Sequence, residues 1–536
     1  MASPASPFYR KRSSAPKLKT GCVTCKQRHI KCDEKRPACL RCKKAGKECG
    51  GYVFPTNKKS PKSRAATHVA EIPGSSLPSL ALPPQESRAM NFYVRVVAIE
   101  LAGWQCSTFW SKDVIRMAEN DCSVRYALVC LSSFYESIYT DGVLQVEKQQ
   151  SGLEFYNRAI GSLYRQIANN TRDYTVIVVC IIFICTDLLR GEHLTAMKHF
   201  EGATGLIKEW EDSSLPTFTD DEMRMARQII RPMLRWLNTL TFILGTSFKK
   251  IPRTPATTPD TKGSDNPLGT IAGATAELMQ IIMNSKDYWK RCRGQRYAVV
   301  QDPAVLLLRA NLLDSVDIWK ERLRISSRSL HFLASVTRLF DVQLVACAGN
   351  VVEACIVTAL HSSESVWDGY RDMFEEIIVS AERTLEAPGI IAPPQRSSRF
   401  CFGIGPVPLL QLVAWKCRWP HIRRRAIQIL KSAKRRETVF DSENVANLFT
   451  KLQEIEESAL NLPEGVIPEE GQLPPEESRV HRIDVAPLPP TPEGLAVNFL
   501  LKRNDGTCYI RCEYVNFTTT YESVEILNNA INLVPP

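Results

Sequence analysis

Six of the chain's 18 cysteines fall between Cys22 and Cys49. They read C-x2-C-x6-C, then six residues, then C-x2-C-x6-C again. Cys22, Cys25 and Cys32 form the first trio; Cys39, Cys42 and Cys49 form the second. On a helix, residues three and seven apart fall close to one face, so each trio converges. Converging thiolates are soft ligands that favour Zn²⁺ in tetrahedral sulfur coordination. A closed zinc site takes four ligands, so two zincs need eight ligand positions. Six cysteines fill them if two sulfurs bridge both metals. The competing chemistry is a disulfide knot. The opening residues MASPASPFYRKRSSAPK hold basic side chains but no apolar run of a secretory signal. Intracellular thiols stay reduced, and that favours metal.

Charge is concentrated in the same place. Residues 1–64 carry 18 Lys and Arg against three Asp and Glu, whereas the whole 536-residue chain nets +11. The remainder is therefore net acidic. Six thiolates and two Zn²⁺ would lower the segment by two charges and leave it strongly cationic. A compact cationic module is the electrostatic footprint of a nucleic-acid binder. The other twelve cysteines have no paired metal spacing; Cys130, Cys180 and Cys185 lie in apolar runs and read as small buried hydrophobes.

The cysteine pattern resembles the fungal Zn2Cys6 binuclear-cluster regulators, which place a helix in the DNA major groove. The resemblance implies two zincs per chain, with the first and fourth cysteines, Cys22 and Cys39, bridging. It also implies that a basic pair after the second cysteine reads a CGG triplet. Here that pair is Arg28 and His29, and His29 stands where the family often has lysine. Arg bonds guanine O6 and N7 in bidentate fashion, and a protonated imidazole donates from both nitrogens. Lys26, Lys31, Arg41, Lys43 and Lys44 are candidates for phosphate contacts. Ile30 is expected to pack the small interior, and Pro37 to set the turn between the halves. Two later stretches, TVIVVCIIFICTDLLRGEHLTAMKHFEGATGLI and PLLQLVAWKCRWPHIRRRAIQILKSAKRRE, resemble the helical fungal-specific transcription factor region that follows many such clusters.

The elements around this module read as follows. Residues 1–20 are a disordered basic tail, 21–50 the zinc domain, and 51–88 a Pro- and Ser-rich linker. The linker has no heptad pattern, so it supplies no coiled coil. Residues 89–460 read as an all-α regulatory domain. In it, Phe155, Ala159, Leu163 and Ile167 form one i, i+4 row, with Tyr156, Ile160 and Tyr164 beside it. Val176 to Cys185 is an uncharged run about half the length of a bilayer span, so it reads as a buried core helix. A turn near Gly191 and an antiparallel helix partner should follow. Residues 211–222, 250–270 and 386–398 read as loops. Helical patterning returns at 408–436 and 442–460. Residues 461–536 hold an acidic connector and a hairpin, Leu495 to Lys502 and Thr507 to Val515, around Asn504-Asp505-Gly506. The expected fold class is mainly α with a small C-terminal β-hairpin.

Three further features carry weaker signals. The run Arg423, Arg424, Arg425, Lys431, Lys434, Arg435 and Arg436 reads as a solvated helix face, or as a second DNA-binding or import element. Between Leu452 and Ser478 lie eight glutamates and no Lys or Arg. That segment reads either as an activation region or as an exposed connector. His193 and His199 lack partners that would suggest a site. Gly403-Ile404-Gly405 lacks the third glycine of a dinucleotide fingerprint. No G-x-S-x-G, H-E-x-x-H or Walker A pattern occurs, so an enzyme is not expected. The reading is a nuclear, sequence-specific transcription factor of RNA polymerase II genes that regulates a metabolic or secondary-metabolite gene cluster. Its expected partners are double-stranded DNA, the transcription machinery and a second copy bound through the helical domain; no membrane is expected. The alternative is a co-regulator or scaffold whose zinc module contacts protein.

Overall fold

The computed structural model describes residues 22–49, apart from 34, 36 and 37, and most of 82–517. Within the latter, 103–108, 142–145, 169–173, 213–229, 231–232, 234–267, 297–299, 335–338, 387–398, 487–490, 492–493 and the single positions 404, 439 and 464 lie outside the description. The expected tail at 1–20, the linker at 51–81, Pro37 and the loops at 213–222, 250–267 and 387–398 lie outside it too. The chain divides into two compact units, Met1–Ala70 and Glu71–Pro536.

Among its described residues the small unit holds two five-residue helices, α1 (Val23–Gln27) and α2 (Leu40–Lys44). The large unit is mainly helical. It opens with α3 (Pro84–Phe92), α4 (Ala98–Ala102), α5 (Val114–Asn120) and α6 (Cys122–Asp141). Next come α7 (Val146–Ala168), α8 (Thr175–Arg190) and α9 (His193–Asp212). Then follow α10 (Ile271–Asn284), α11 (Lys286–Gln295), α12 (Pro303–Ser326), α13 (Leu330–Ala334), α14 (Leu339–Thr358) and α15 (Arg371–Glu386). The last helices are α16 (Val407–Lys416), α17 (Pro420–Ala433) and α18 (Ser442–Glu457).

The uncharged run is the core helix α8, with Val176 to Val179 and Ile181 to Cys185 all buried. It stops at Gly191, whose φ of 83° needs a residue without Cβ. Glu192 N–H then bonds Asp187 C=O at 2.8 Å, and α9 returns against α8. A buried carboxylate marks this end of α8. Asp187 is fully buried, and burial pushes its carboxyl up to about 7. It lies 3.4 Å from Arg190 and 3.6 Å from His199, and His199 bonds the Tyr156 hydroxyl at 2.6 Å. On α7 the expected apolar rows split. Phe155, Ala159 and Leu163 are buried, whereas Ile160, Tyr164 and Ile167 are exposed. By length and composition α14 is apolar enough to cross a membrane, but it buries Leu344, Val345, Cys347 and Ile356 against neighbouring helices.

Two small sheets interrupt the helices. β1 (Arg399–Cys401) pairs in parallel with β2 (Arg435–Glu437), which pairs antiparallel with β3 (Phe440–Asp441). The helical pattern expected across 408–436 therefore ends at Ala433, where Lys434 turns left-handed at φ 41°. Strands of two or three residues are too short to show a period. The buried Glu437 carboxylate accepts from the Gly405 N–H at 2.7 Å and the Val407 N–H at 3.1 Å. A Cβ on Gly405 would sit 2.4 Å from Glu437 Oε1, so the GxG motif cradles a carboxylate of its own chain. In the second sheet β4 (Val480–Val485) joins the expected hairpin of β5 (Leu495–Lys502) and β6 (Cys508–Val515), in the order β4-β5-β6. Gly506 takes φ 86° in the turn, and Asp505 accepts from Thr507 N–H.

A chain of buried ions ties the C-terminal half together. Glu364 and Glu456 are both fully buried. Glu364 accepts from Arg296 at 2.8 Å, Lys416 at 2.9 Å and Arg418 at 3.3 Å. Glu456 accepts from Arg418 at 2.9 Å, Arg423 at 2.6 Å and the Val480 N–H at 2.9 Å. Burial alone would raise Glu456, but Arg418 and Arg423 outweigh it and hold the carboxyl at about 2. This corrects the solvated-face reading for part of the basic run, while Arg425, Lys431 and Lys434 stay exposed. Arg423 is buried, Arg435 pairs with Glu437, Arg424 with Glu457 and Arg425 with Glu382. The acidic segment is engaged in part: residues 465–467 and 469–472 stay exposed, as a connector would be, but several of its glutamates have partners. Glu470 pairs with Arg371, and Glu476 accepts from the Glu364 and Ser365 N–H groups.

Removing one partner of a buried pair strands the others, so Glu456→Ala should cost about 3–5 kcal/mol in denaturant unfolding. Unchanged stability would show that the ion chain is not structural. Asp187 carries a pH sign. Its folded pKa is raised, so its contribution is full below the unfolded value near 4 and is lost as pH rises through about 7. Asp187→Asn should therefore be roughly 2–4 kcal/mol more stable than wild type at pH 8 and equal to it at pH 4. A constant difference across that range would contradict the assignment.

Candidate metal centre and nucleic-acid interface

The two halves of the small unit fold alike, offset by 17 residues. Each helix begins at a cysteine that caps it: Cys22 Sγ accepts from the Cys25 N–H at 3.4 Å, and Cys39 Sγ from the Cys42 N–H at 3.3 Å. Each helix closes the same way. Ile30 N–H reaches Cys25 C=O, and Lys47 N–H reaches Cys42 C=O, both at 3.1 Å. The residue before each donor turns left-handed, His29 at φ 53° and Gly46 at φ 63°. Thr24 Oγ1 donates to Glu48 C=O at 3.0 Å and joins the halves. Asp33 accepts from the Leu40 and Arg41 N–H groups at 3.1 and 3.3 Å, and despite desolvation these bonds hold its carboxyl below the usual range.

The sulfurs test the fit of a metal. A Zn–S bond of about 2.3 Å in a tetrahedron puts sulfurs roughly 3.8 Å apart. Cys22 and Cys39 are 3.7 Å apart, Cys22 and Cys42 3.8 Å, and Cys25 and Cys39 3.6 Å. Two groups of four form: Cys22, Cys25, Cys32 and Cys39, and Cys22, Cys39, Cys42 and Cys49. Within each group the sulfurs lie within 4.8 Å of one another. Cys22 and Cys39 belong to both, so the shared edge is built by geometry. All six are free thiols rather than a disulfide knot. Burial raises the thiols of Cys22, Cys25, Cys39 and Cys42 above their ordinary value. Such thiols keep their protons until a cation compensates, and a coordinating thiol is deprotonated outright. The donor set, its spacing and its burial fit two Zn²⁺, each in an all-sulfur tetrahedron.

Around this core the side chains of Arg28, His29, Lys31, Arg41, Lys43 and Lys44 are exposed, and Lys26 lies on α1. Ile30 was expected inside, but it is 37% exposed, because its N–H closes the helix while its side chain leaves the sulfur core. The sequence reading missed the left-handed turn at His29. Its signal was the 17-residue repeat, which sets His29 opposite Gly46.

Metal binding supplies most of the folding free energy of so small a module. Elemental analysis of the full chain should return two zincs. Cys49→Ser should leave the other group complete, whereas Cys22→Ser should empty both. One zinc in the wild type, or both sites filled in Cys22→Ser, would break the shared-edge geometry.

Comparison with known proteins agrees with the site. Residues 20–59 match the fungal Zn(2)-Cys(6) binuclear cluster domain, and residues 89–335 match the fungal specific transcription factor domain. The chain is 26% identical over 211 residues to an aspercryptin biosynthesis cluster-specific transcription regulator of Emericella nidulans, covering 34% of this chain and 33% of that protein. It is 25% identical over 209 residues to the transcription regulator lscL of Purpureocillium lilacinum, covering 36% and 49%. An uncharacterized transcriptional regulatory protein of Schizosaccharomyces pombe is 32% identical over 153 residues, covering 25% and 27%. The matched segments thus span between a quarter and a half of these relatives. Cluster geometry, both domain matches and the class of the relatives together support a fungal Zn(2)-Cys(6) transcription factor.

Proposed function

We propose that this regulator acts in the nucleus by binding double-stranded DNA through residues 22–49, reading CGG-type triplets, and controlling RNA polymerase II transcription of a biosynthetic gene cluster. One observation carries the reading: a sulfur core, with Cys22, Cys25, Cys39 and Cys42 buried and Cys32 and Cys49 half-buried, wrapped by exposed basic side chains. In this reading Arg28 and His29 meet the base edges. Lys26, Lys31, Arg41, Lys43 and Lys44 bond phosphates. Residues 51–83 tether the module, because α3 already begins at Pro84 inside the expected linker of 51–88; residues 89–460 regulate it, and any homodimer forms through that larger part. The relatives' names supply the target class, since one is specific to a biosynthesis cluster. Nothing in the site favours protein contact over DNA, and a gel shift of the full chain on CGG-containing DNA separates the two.

Contact type sets the expected outcomes. Phosphate contacts give salt-dependent, sequence-blind affinity; base contacts give discrimination. Lys43→Ala should weaken binding to CGG and scrambled DNA alike and flatten the salt dependence by about one contact. Arg28→Ala should cost roughly 1–3 kcal/mol on CGG DNA and little on scrambled DNA. Equal losses on both sequences for Arg28→Ala would remove it from base reading.

A further inference from the structure

The six cysteines of the metal centre are not equally sheltered. Cys22, Cys25, Cys39 and Cys42 are buried, whereas Cys32 and Cys49 are half-buried. The backbone explains the split. Cys25 and Cys42 ride on α1 and α2, and Cys22 and Cys39 cap those helices. The third cysteine of each half follows the left-handed turn at His29 or Gly46, on chain that is not helical. The residues beside it are exposed: Lys31 and Asp33 around Cys32, and Lys47 and Glu48 before Cys49. Each metal group holds one such rim cysteine, Cys32 in one and Cys49 in the other.

Single tethers, rather than a helix, hold these rim segments. Asp33 accepts from the Leu40 and Arg41 N–H groups at 3.1 and 3.3 Å and anchors the chain that follows Cys32. Thr24 Oγ1 donates to the Glu48 C=O at 3.0 Å and anchors the chain that precedes Cys49. The Cys49 sulfur also accepts from the Cys39 N–H at 3.4 Å. Segments held by a few exposed bonds open at lower cost than packed helices do. A thiolate on such a segment is the one that a small oxidant reaches first, whereas buried structural cysteines are inert.

We propose that Cys32 and Cys49 are the sites at which a hydroperoxide attacks the metal centre, and that their oxidation discharges the zinc. The proposal rests on the metal centre described above. The rim thiolate attacks one peroxide oxygen, the O–O bond breaks, the sulfur becomes a sulfenic acid and hydroxide leaves. Each rim sulfur lies within 4.8 Å of the other three sulfurs of its group. One of those thiolates then attacks the sulfenic sulfur, a disulfide forms and a second hydroxide leaves. Two electrons pass from two sulfurs to one peroxide, and the metal keeps only half of its ligands. Metal binding supplies most of the folding free energy of the module, so its fold goes with its metal. A thiol reductant returns both ligands by exchange, which makes the discharge reversible.

Hydrogen peroxide added to the zinc-loaded full chain, with dimedone present to trap sulfenic acids and a dye to bind free zinc, tests the proposal. Exposed Cys122, Cys508 and Cys512 belong to neither metal group and serve as an internal scale of oxidant access. Mass spectrometry should find the trap on Cys32 and Cys49 ahead of Cys22, Cys25, Cys39 and Cys42, and zinc should leave in step with it. Thr24→Val removes the tether before Cys49 without touching a ligand. It should speed trapping at Cys49 several-fold and leave Cys32 unchanged. Both zincs retained after Cys122, Cys508 and Cys512 are fully oxidised would overturn the proposal, as would a trap found first on a buried cysteine. An unaltered rate at Cys49 in Thr24→Val would overturn the rim segment as the point of entry. Fewer than two zincs in the untreated chain would count instead against the metal centre.

Discussion

Both compact units take charge out of water, and both are shaped by the need to neutralise it at once. A buried ion without a partner costs several kcal/mol. In the small unit the charge belongs to thiolates, whose buried thiols stay protonated until a divalent cation arrives. In the large unit it belongs to Glu364 and Glu456, and arginine supplies the cation covalently. The first solution makes folding conditional on metal. The second makes it conditional on long-range chain closure, because Arg418 joins Glu364 and Glu456 across 54 and 38 residues.

That closure decides which charges remain for partners. Arg423 and Arg435 look like a basic patch in the sequence, yet both are consumed inside the fold. Glu456 and Glu476 look like part of an acidic activation segment, yet they hold Arg418, Arg423 and the N–H groups of Glu364 and Ser365. Ion pairs inside the large unit spend these groups. The uncompensated positive charge lies in residues 1–64, beside the sulfur core.

The features legible in the sequence were those with a local period or a local turn. The uncharged run gave α8, Gly191 its stop, and Asn504-Asp505-Gly506 the hairpin. Repeated cysteine spacing gave the metal centre, because ligand geometry demands that spacing. What stayed hidden was either too short or too distant. β1, β2 and β3 have three, three and two residues, fewer than any period needs. Arg479 meets Asp368 from 111 residues away, and no local pattern encodes such a meeting. Periodicity also showed two apolar rows on α7 without showing where each leaves the core: Ile167 of the first row is exposed, and Tyr156 of the second stacks on Phe183.

The 17-residue repeat leaves one asymmetry with functional weight. Both halves cap their helix with a bridging cysteine and close it through a left-handed residue. In the second half that residue is Gly46, which costs nothing there and presents no side chain. In the first half it is His29, and a residue with a Cβ is held at a positive φ that costs of order 1–3 kcal/mol. Histidine tolerates this conformation better than most residues, but glycine would relieve it. The strained position places an imidazole on the exposed rim next to Arg28. In the proposed reading, that places base recognition on the first half and leaves the second half, with Arg41, Lys43 and Lys44, to grip the phosphates. In that reading, the base contact is what offsets holding a side chain where glycine would be cheaper.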